Sequence, residues 1–287
     1  MTQDILQTIH NQMNTFSKGQ KRIAAYLLES YDKAAFLTAG VLGKTVQVSE
    51  STVVRFASQL GYEGYPQMQK ALQELVMTRL TAPQRMDAVR QSAPQEELLP
   101  SVLQADAERI RVTLEKIDSA QFSAAVESLL SARRVYLLGV RSSAPLASFL
   151  YYYLRDMLDD VRLVCEGSVG MTLEQLTRIS PQDVLLAVSF PRYCTITVEA
   201  VKYAAASGAR TVALTDSPSS PIAQESECLL LAHSGMVSLV DSMVAPMSVI
   251  NALLACVASR RRQETAQHYE KLEEIWDAYH VYEKNDV

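Results

Sequence analysis

The stretch Val46-Gln47-Val48-Ser49-Glu50-Ser51-Thr52-Val53-Val54-Arg55-Phe56-Ala57-Ser58-Gln59-Leu60-Gly61 reads as a short helix carrying its own start and stop signals. Ser49 stands where an N-cap belongs, since its hydroxyl can accept a hydrogen bond from an unpaired backbone N–H of the first turn. Glu50 follows in that turn, where a negative charge suits the helix dipole. Val53, Phe56, Ala57 and Leu60 fall at i, i+3, i+4 and i+7 and make one apolar face. Gly61 comes just after the last periodic residue as a C-terminal stop. The opposite face carries Ser51, Thr52, Arg55 and Gln59. Small hydrogen-bonding residues let a backbone approach DNA, and Arg and Gln reach base edges in a major groove. Ordinary surface helices carry similar polar faces, so the preceding residues decide between the two readings.

Thr38 can cap another short helix, Ala39 to Thr45, with Val41 and Leu42 as its inward pair. Val46, Gln47 and Val48 then connect tightly into Ser49. Two short helices joined by a three- or four-residue turn, the second showing a polar face, form a helix-turn-helix pattern. The run Val48-Ser49-Glu50-Ser51-Thr52-Val53-Val54-Arg55-Phe56, continued by Leu60-Gly61-Tyr62-Glu63-Gly64-Tyr65-Pro66, resembles the N-terminal domain of the RpiR family of bacterial transcriptional regulators. Two positions depart from the family pattern. The turn position usually held by Gly is Gln47, which must then take up a less favoured backbone conformation. The Ala expected inside the first helix is Gly43, which weakens that helix by up to about 1 kcal/mol. The DNA-binding set expected from this reading is Lys44, Ser49, Ser51, Thr52, Arg55 and Gln59.

The 287-residue length suggests about two domains. At 48% hydrophobic and 21% charged residues, the chain has the composition of a soluble globular protein with a substantial core. No apolar run approaches the roughly 18 residues of a membrane span, and no secretory leader is visible at the N-terminus, so a cytoplasmic location is expected. Cys165, Cys194, Cys228 and Cys256 lack CxxC spacing and read as free thiols in a reducing compartment. His10, His233, His268 and His280 share no metal-ligand spacing, so no metal or cofactor is expected. The net charge of −5 is unusual for a DNA binder, but its distribution is uneven. Residues 1–80 carry eight basic and six acidic side chains, leaving −7 for the remainder. The acidic remainder limits non-specific DNA binding, which depends on phosphate neutralisation.

Residues 1–80 read as all helix. Ser17 caps a helix bearing Ile23, Ala24, Leu27 and Leu28. A short helix around Asp32 to Phe36 precedes the helix-turn-helix pair, and Gln67 to Leu80 closes the unit with Leu72, Leu75 and Val76 inward. Residues 81–100, with Ala82-Pro83, Ser92-Ala93-Pro94 and Leu99-Pro100, read as a linker. Residues 101–287 form the second domain. It opens on helical periodicity (Leu103, Ala107, Ile110, Leu114) that can support a dimer. From Arg134 strands and helices alternate: strands at Val135–Val140, Val161–Val164, Val184–Phe190, Thr211–Thr215 and Cys228–Ala232, helices at 144–157, 173–179 and up to Gly208, and a helical tail over 239–282. Continuous apolar strands alternating with helices predict an α/β domain with a parallel sheet covered on both faces, binding ligands at the strands' carboxyl ends.

Two strand-to-helix loops hold the residues of interest: Gly139-Val140-Arg141-Ser142-Ser143, and Val188-Ser189-Phe190-Pro191-Arg192-Tyr193-Cys194-Thr195-Ile196-Thr197. Both bring hydroxyls and backbone N–H groups to helix N-termini, where an anion is favoured. Each adds an arginine able to grip phosphate or carboxylate with two parallel bonds. The competing reading makes the hydroxyls plain helix caps and the arginines solvated. This domain resembles a SIS (sugar isomerase) domain, a phosphosugar-binding sandwich of the flavodoxin/Rossmann type that follows the helix-turn-helix unit in the RpiR family. Within that resemblance Ser143 matches the phosphate-binding serine after the first strand and Ser189 the first serine of the second loop. The usual second loop, Ser-x-Ser-Gly-x-Thr, has Pro191, Arg192 and Cys194 in place of its second Ser, Gly and Thr, and Arg141 replaces a Gly of the first loop. The ligand-binding set is therefore Arg141, Ser142, Ser143, Ser189, Arg192, Tyr193, Thr195 and Thr197, with the arginines supplying anion contacts made elsewhere by amides and hydroxyls. The Ser-Phe-Pro-Arg-Tyr segment resembles one branch of these regulators. Ser220, in Asp216-Ser217-Pro218-Ser219-Ser220-Pro221, reads as a structural cap, and of Tyr151, Tyr152 and Tyr153 at least one belongs to the core.

The expected function is ligand-responsive transcription regulation by a homodimer or tetramer on an inverted-repeat operator with half-sites about 10 bp apart or a multiple of that. The effector expected is a phosphosugar or related anionic metabolite. The alternative is a phosphosugar isomerase or lyase whose N-terminal domain serves oligomerisation. That chemistry needs a general base. Tyr193 stands where the family loop often has an acidic residue, the first carboxylate after it is Glu199, and no catalytic set is visible. A third reading is a constitutive DNA binder whose second domain only dimerises.

Overall fold

Apolar spacing of three and four builds the N-terminal helices of the computed structural model, which describes residues 5–79, 98–165, 167–236 and 240–283. Ile5 and Ile9 are buried from α1 (Ile5–Gln12), a helix absent from the sequence reading. In α2 (Lys18–Ala34) a reciprocal capping box joins Ser17 and Gln20, and Ile23, Ala24 and Leu27 are buried. The separate helix expected at 32–36 is instead the end of α2. The chain leaves helical geometry at Ser30 (φ −139°, ψ 44°), resumes it, and stops at Ala34, with Phe36 exposed. Thr38 caps α3 (Ala39–Thr45) by accepting from the Val41 N–H at 3.3 Å. Of the expected inward pair only Leu42 is buried, because Ala39 and Leu42 share the core-facing side and Val41 is turned outward. The second helix of the pair, α4 (Glu50–Gln59), buries Val53, Phe56 and Ala57. Phe56 meets Phe16 with ring centroids 5.0 Å apart. In α5 (Tyr65–Arg79) the buried line is Met68, Leu72 and Val76. Tyr65, Gln69 and Gln73 donate to the carbonyls of Leu37, Leu37 and Ala35, supplying partners to the turn between α2 and α3. Burial pushes the Tyr65 phenol up to about 12.

The chain divides into two units, Met1–Ser92 and Ala93–Val287. The second is described from α6 (Leu98–Lys116), so Leu99 and Pro100, expected in the linker, are already helical. The rest of the expected linker lies outside the described residues. The apolar line of α6 faces outward: Leu99, Leu103, Ile110 and Leu114 are exposed, whereas Thr113 is buried and accepts from the His233 N–H at 2.8 Å. Asp118 caps α7 (Ser119–Ser131). The sheet comprises β1 (Arg134–Gly139), β2 (Val161–Leu163), β3 (Asp183–Val188), β4 (Arg210–Thr215) and β5 (Cys228–Leu231). Its order is β2-β1-β3-β4-β5, all parallel. Crossovers run through α8 (Ala144–Leu154), α9 (Val169–Gln175) and α10 (Thr195–Ala206). The α9 helix lies several residues before its expected place at 173–179, because the Ser168 hydroxyl accepts from the Met171 N–H and starts it early. A short pair, β6 (Gly235–Met236) and β7 (Asp241–Ser242), precedes α11 (Val244–Arg260) and α12 (Arg262–Ala278).

Alternation along the strands sends side chains to two cores. Val135, Leu137, Leu186, Val212 and Leu214 join residues of α7, α8 and α11, including Tyr151 and Tyr153 at its margin. Tyr136, Leu138, Leu185, Ala187 and Ala213 join Leu176 and the Ala200, Val201 and Ala204 side of α10. At the amino end of β3, buried Asp183 accepts from Arg133 Nε (2.9 Å) and Nη2 (2.8 Å), the Ser180 N–H (2.9 Å) and the Ser180 hydroxyl (3.0 Å). Burial raises its pKa, but these partners outweigh that and hold the carboxyl below the usual range. The order in which the chain adds strands reverses between β1 and β3, so the crevice at their carboxyl ends is where a ligand is favoured.

Candidate functional site

In the first unit the turn between α3 and α4 is drawn tight by Val48 N–H donating to the Gly43 carbonyl at 2.8 Å. A Cβ on Gly43 would lie 2.9 Å from the Val48 carbonyl oxygen, so its lack of a side chain permits the approach. Gln47 holds φ +56°, the left-handed conformation expected of a residue standing in a glycine position. Ser49 is the N-cap residue of α4 but its side chain makes no cap bond. Its hydroxyl lies 3.0 Å from that of Ser51 and 2.8 Å from that of Thr52 instead. Most directly opposite the buried Val53, Phe56 and Ala57 are Ser51, Arg55 and Ser58, with Val54 and Gln59 at the two margins, all exposed.

Two members of the expected DNA set lie near the N-terminal end of α2. Gln59 accepts from Gln20 Nε2 at 2.6 Å and donates to the Thr15 hydroxyl at 3.5 Å, so it braces the N-terminal end of α2. Half-buried Thr52 lies beside that end as well, 3.6 Å from where a Cβ on Gly19 would sit. Lys44, Ser49, Ser51, Arg55 and Gln59 are exposed. Arg55 Nε donates to the Ser51 carbonyl at 3.2 Å, which lays its side chain along the helix surface. Val54 and Ser58, outside the expected set, are exposed on the same helix.

In the second unit the two expected loops leave neighbouring strands, with Gly139 in register with Val188. A Cβ on Gly139 would lie 2.4 Å from the Ser143 carbonyl oxygen, so the first loop folds back against its own strand. Arg141 holds φ +57°, a conformation rare for a residue with a side chain. Ser143 is buried and begins α8 without a side-chain cap bond. Cys194 likewise begins α10 without one. The first turns of both helices thus direct backbone N–H groups at the carboxyl edge of the sheet with no side chain capping them. Arg141, Ser142, Arg192 and Thr195 are exposed, Tyr193 is half-buried, and Ser189 and Thr197 are buried. The Thr197 hydroxyl has no hydrogen-bond partner among the described residues.

A third loop joins this edge. Ser189 N–H donates to the Leu214 carbonyl at 3.1 Å, which places the second loop beside the end of β4. There Asp216 Oδ1 accepts from the Tyr193 hydroxyl at 2.9 Å and the Thr215 hydroxyl at 3.3 Å. Burial pushes the Asp216 carboxyl up, partly offset by the Tyr193 and Thr215 bonds, and Asp241 raises it further. Sequence reasoning treated Asp216 only as part of a turn; an aspartate at the end of a parallel strand was the available signal. Ser220 does act as a cap, accepting from the Ala223 N–H at 3.3 Å. Glu199 pairs with Lys202 at 3.1 Å. Among the described residues no group of three or more His, Cys, Asp or Glu could hold a metal, and no helix is long and apolar enough to cross a membrane.

A helix-turn-helix unit followed by a parallel-sheet domain with anion-type loops defines a DNA-binding regulator carrying a sensory domain. Comparison with known proteins bears this out. Residues 3–78 match the helix-turn-helix domain of the rpiR family and residues 128–256 match the SIS domain. An HTH-type transcriptional regulator of Haemophilus influenzae is 25% identical, with 93% of this chain and 94% of that protein aligned. The sugar isomerase domain of an RpiR transcription factor from Sphaerobacter thermophilus is 31% identical with a TM-score of 0.59, covering 62% of this chain and 99% of that one. NanR of Vibrio vulnificus, solved with ManNAc-6P, shares the fold at 20% identity and a TM-score of 0.60, covering 96% of this chain and 98% of that one. The chain belongs to the RpiR family and is a helix-turn-helix transcriptional regulator with a SIS domain.

Proposed function

We propose that this regulator senses a phosphosugar or closely related anionic metabolite at the carboxyl edge of its parallel sheet. The observation that carries the reading is Arg141. It occupies a glycine position of the family's first loop and holds the left-handed backbone a glycine would adopt, beside the uncapped first turn of α8. Backbone strain kept in a ligand loop points to use of the side chain. Ser142, Ser143 and Ser189 supply hydroxyls, Arg192 a second cation, and Thr195 and Thr197 complete the second loop's share. Tyr193 holds Asp216 in the half-buried position where sugar hydroxyls would meet it. NanR's complex with ManNAc-6P supports this ligand class. The regulator works in the cytoplasm as a homodimer or tetramer on an inverted-repeat operator. Effector changes DNA affinity only as far as it binds two subunit arrangements unequally.

An isomerase or lyase activity is the weaker reading. Glu199 is paired with Lys202, and Asp216 is held by two hydroxyl donors, so neither carboxylate is poised as a free general base.

Thermal unfolding of the full chain against hexose and aminosugar phosphates, sugar acids and inorganic anions tests the proposal. A ligand at 100 times its dissociation constant stabilises the fold by about 2.7 kcal/mol. The expected outcome is a rise in melting temperature with phosphosugars that is lost in Arg141→Ala or Arg192→Ala. A rise with sugar acids alone reassigns the ligand to a carboxylate, and a rise with none of these refutes the sensing site.

A further inference from the structure

The second helix of the helix-turn-helix pair, α4, carries an exposed apolar group. Val54 is 40% exposed and stands at the margin of the face formed by Ser51, Arg55 and Ser58, flanking the buried stripe of Val53, Phe56 and Ala57. Its neighbours along the face are short: Ser51 one turn before it and Ser58 one turn after. Ser58 donates to the Val54 carbonyl at 3.4 Å, Arg55 donates to the Ser51 carbonyl, and the Ser51 hydroxyl meets that of Ser49. Each polar side chain of this face is thus drawn toward its own helix, leaving the Val54 methyl groups as the projecting contact. A valine in a helix holds essentially one rotamer, so those methyls have a fixed place.

We propose that Val54 reads the 5-methyl group of a thymine in the major groove. This rests on the assignment of α4 as the recognition helix and adds a base identity to it. In the major groove the only apolar feature on a base edge is the thymine methyl. A serine on either side lets the helix come close enough for methyl-to-methyl contact, while Arg55, one residue on, exchanges its bond to the Ser51 carbonyl for an acceptor on a neighbouring base. Gln59, which braces α2, contributes no base contact in this arrangement.

Uracil provides the test, since it differs from thymine only by that methyl. Full-length protein selects DNA from a random library, with and without a mixture of hexose phosphates. Each thymine of the enriched sequence is then replaced singly by uracil, and affinities are measured for the wild type and for Val54→Ala. The expected result is one replacement in the half-site that weakens wild-type binding about fourfold, the value of burying one methyl-sized group. Val54→Ala should bind the thymine and uracil forms alike. Its melting temperature should match the wild type, because the site is exposed and alanine favours helix. An enriched sequence whose thymines all tolerate uracil overturns the Val54 contact while leaving the recognition helix intact. So does a replacement that weakens both proteins equally. Failure to enrich any sequence under either condition overturns the recognition-helix assignment and the contact with it.

Discussion

Replacing Gly139 with alanine should damage the loop between β1 and α8. The added Cβ would stand 2.4 Å from the Ser143 carbonyl oxygen, 2.9 Å from the Ser143 carbonyl carbon and 3.0 Å from the Ala147 Cβ. Ordinary contact begins near 3.4 Å, so the start of α8 must retreat by roughly 1 Å. Gly139 cannot yield in its place, because β1 is held by β2 on one side and β3 on the other. Overpacking of this kind costs about 1–3 kcal/mol. For a unit of this size each kcal/mol lowers the melting temperature by roughly 2–4 °C. A fall of roughly 2–12 °C in the second unit's transition is therefore expected. The retreat also carries the Ser143 hydroxyl and its helix N-terminus out of place, so protection by phosphosugar should shrink or vanish. Gly170→Ala is the control, since a Cβ there would meet only the Ser168 hydroxyl oxygen, at 3.8 Å. It should melt at or slightly above the wild-type temperature. If Gly139→Ala also melts with the wild type and keeps its response to ligand, the steric account of this loop is wrong.

Gln47→Gly should stabilise the helix-turn-helix unit by about 1 kcal/mol, because it relieves a left-handed conformation at φ +56°. Thermal unfolding of the full chain reads this out, and an unchanged or lower transition would contradict it. Asp216→Asn probes the acid whose folded pKa is raised chiefly by burial, against the opposing Tyr193 bond. A raised folded pKa gives stability that is fully present below the ordinary value of about 4 and lost as pH rises through the folded value. The variant should therefore gain on the wild type as pH climbs from 4 to 8, and a constant offset across that range would refute the burial argument. Asp183→Asn runs the other way. There burial raises the pKa but Arg133 and Ser180 bring it below the ordinary range. That stability is present above pH of about 4 and lost as pH falls through the lower folded value. The variant should be less stable than the wild type at pH 7, and the two should converge as the pH is lowered.

Much of the architecture was legible in local pattern. The Thr38 cap, the limits of α3 and the stop at Gly61 follow from chemistry within a few residues, as do the five parallel strands. Gln47 could be marked as strained from sequence and Arg141 as standing in a glycine position, and both hold positive φ. What local pattern missed was orientation at the margins. A helical stripe is wide, and its flanking residues turn toward solvent or a neighbour according to where the next helix lies. Gln59 and Val54 both flank the stripe of α4. The docked end of α2 claims Gln59 and leaves Val54 in the open. The same holds for the apolar line of α6, whose 3–4 spacing is plain in the sequence but whose exposed side was decided by how α6 lies against α11. Asp216 meets the second loop only because β3 and β4 are neighbours, which brings Tyr193 across 23 residues of chain to its carboxylate. Periodicity and capping are set by bonds within one or two turns, so the sequence alone determined the elements and the family. The facing of each side chain depends on partners distant in sequence, so only the tertiary structure decided which residues of α4 stand exposed and which acid meets the second loop.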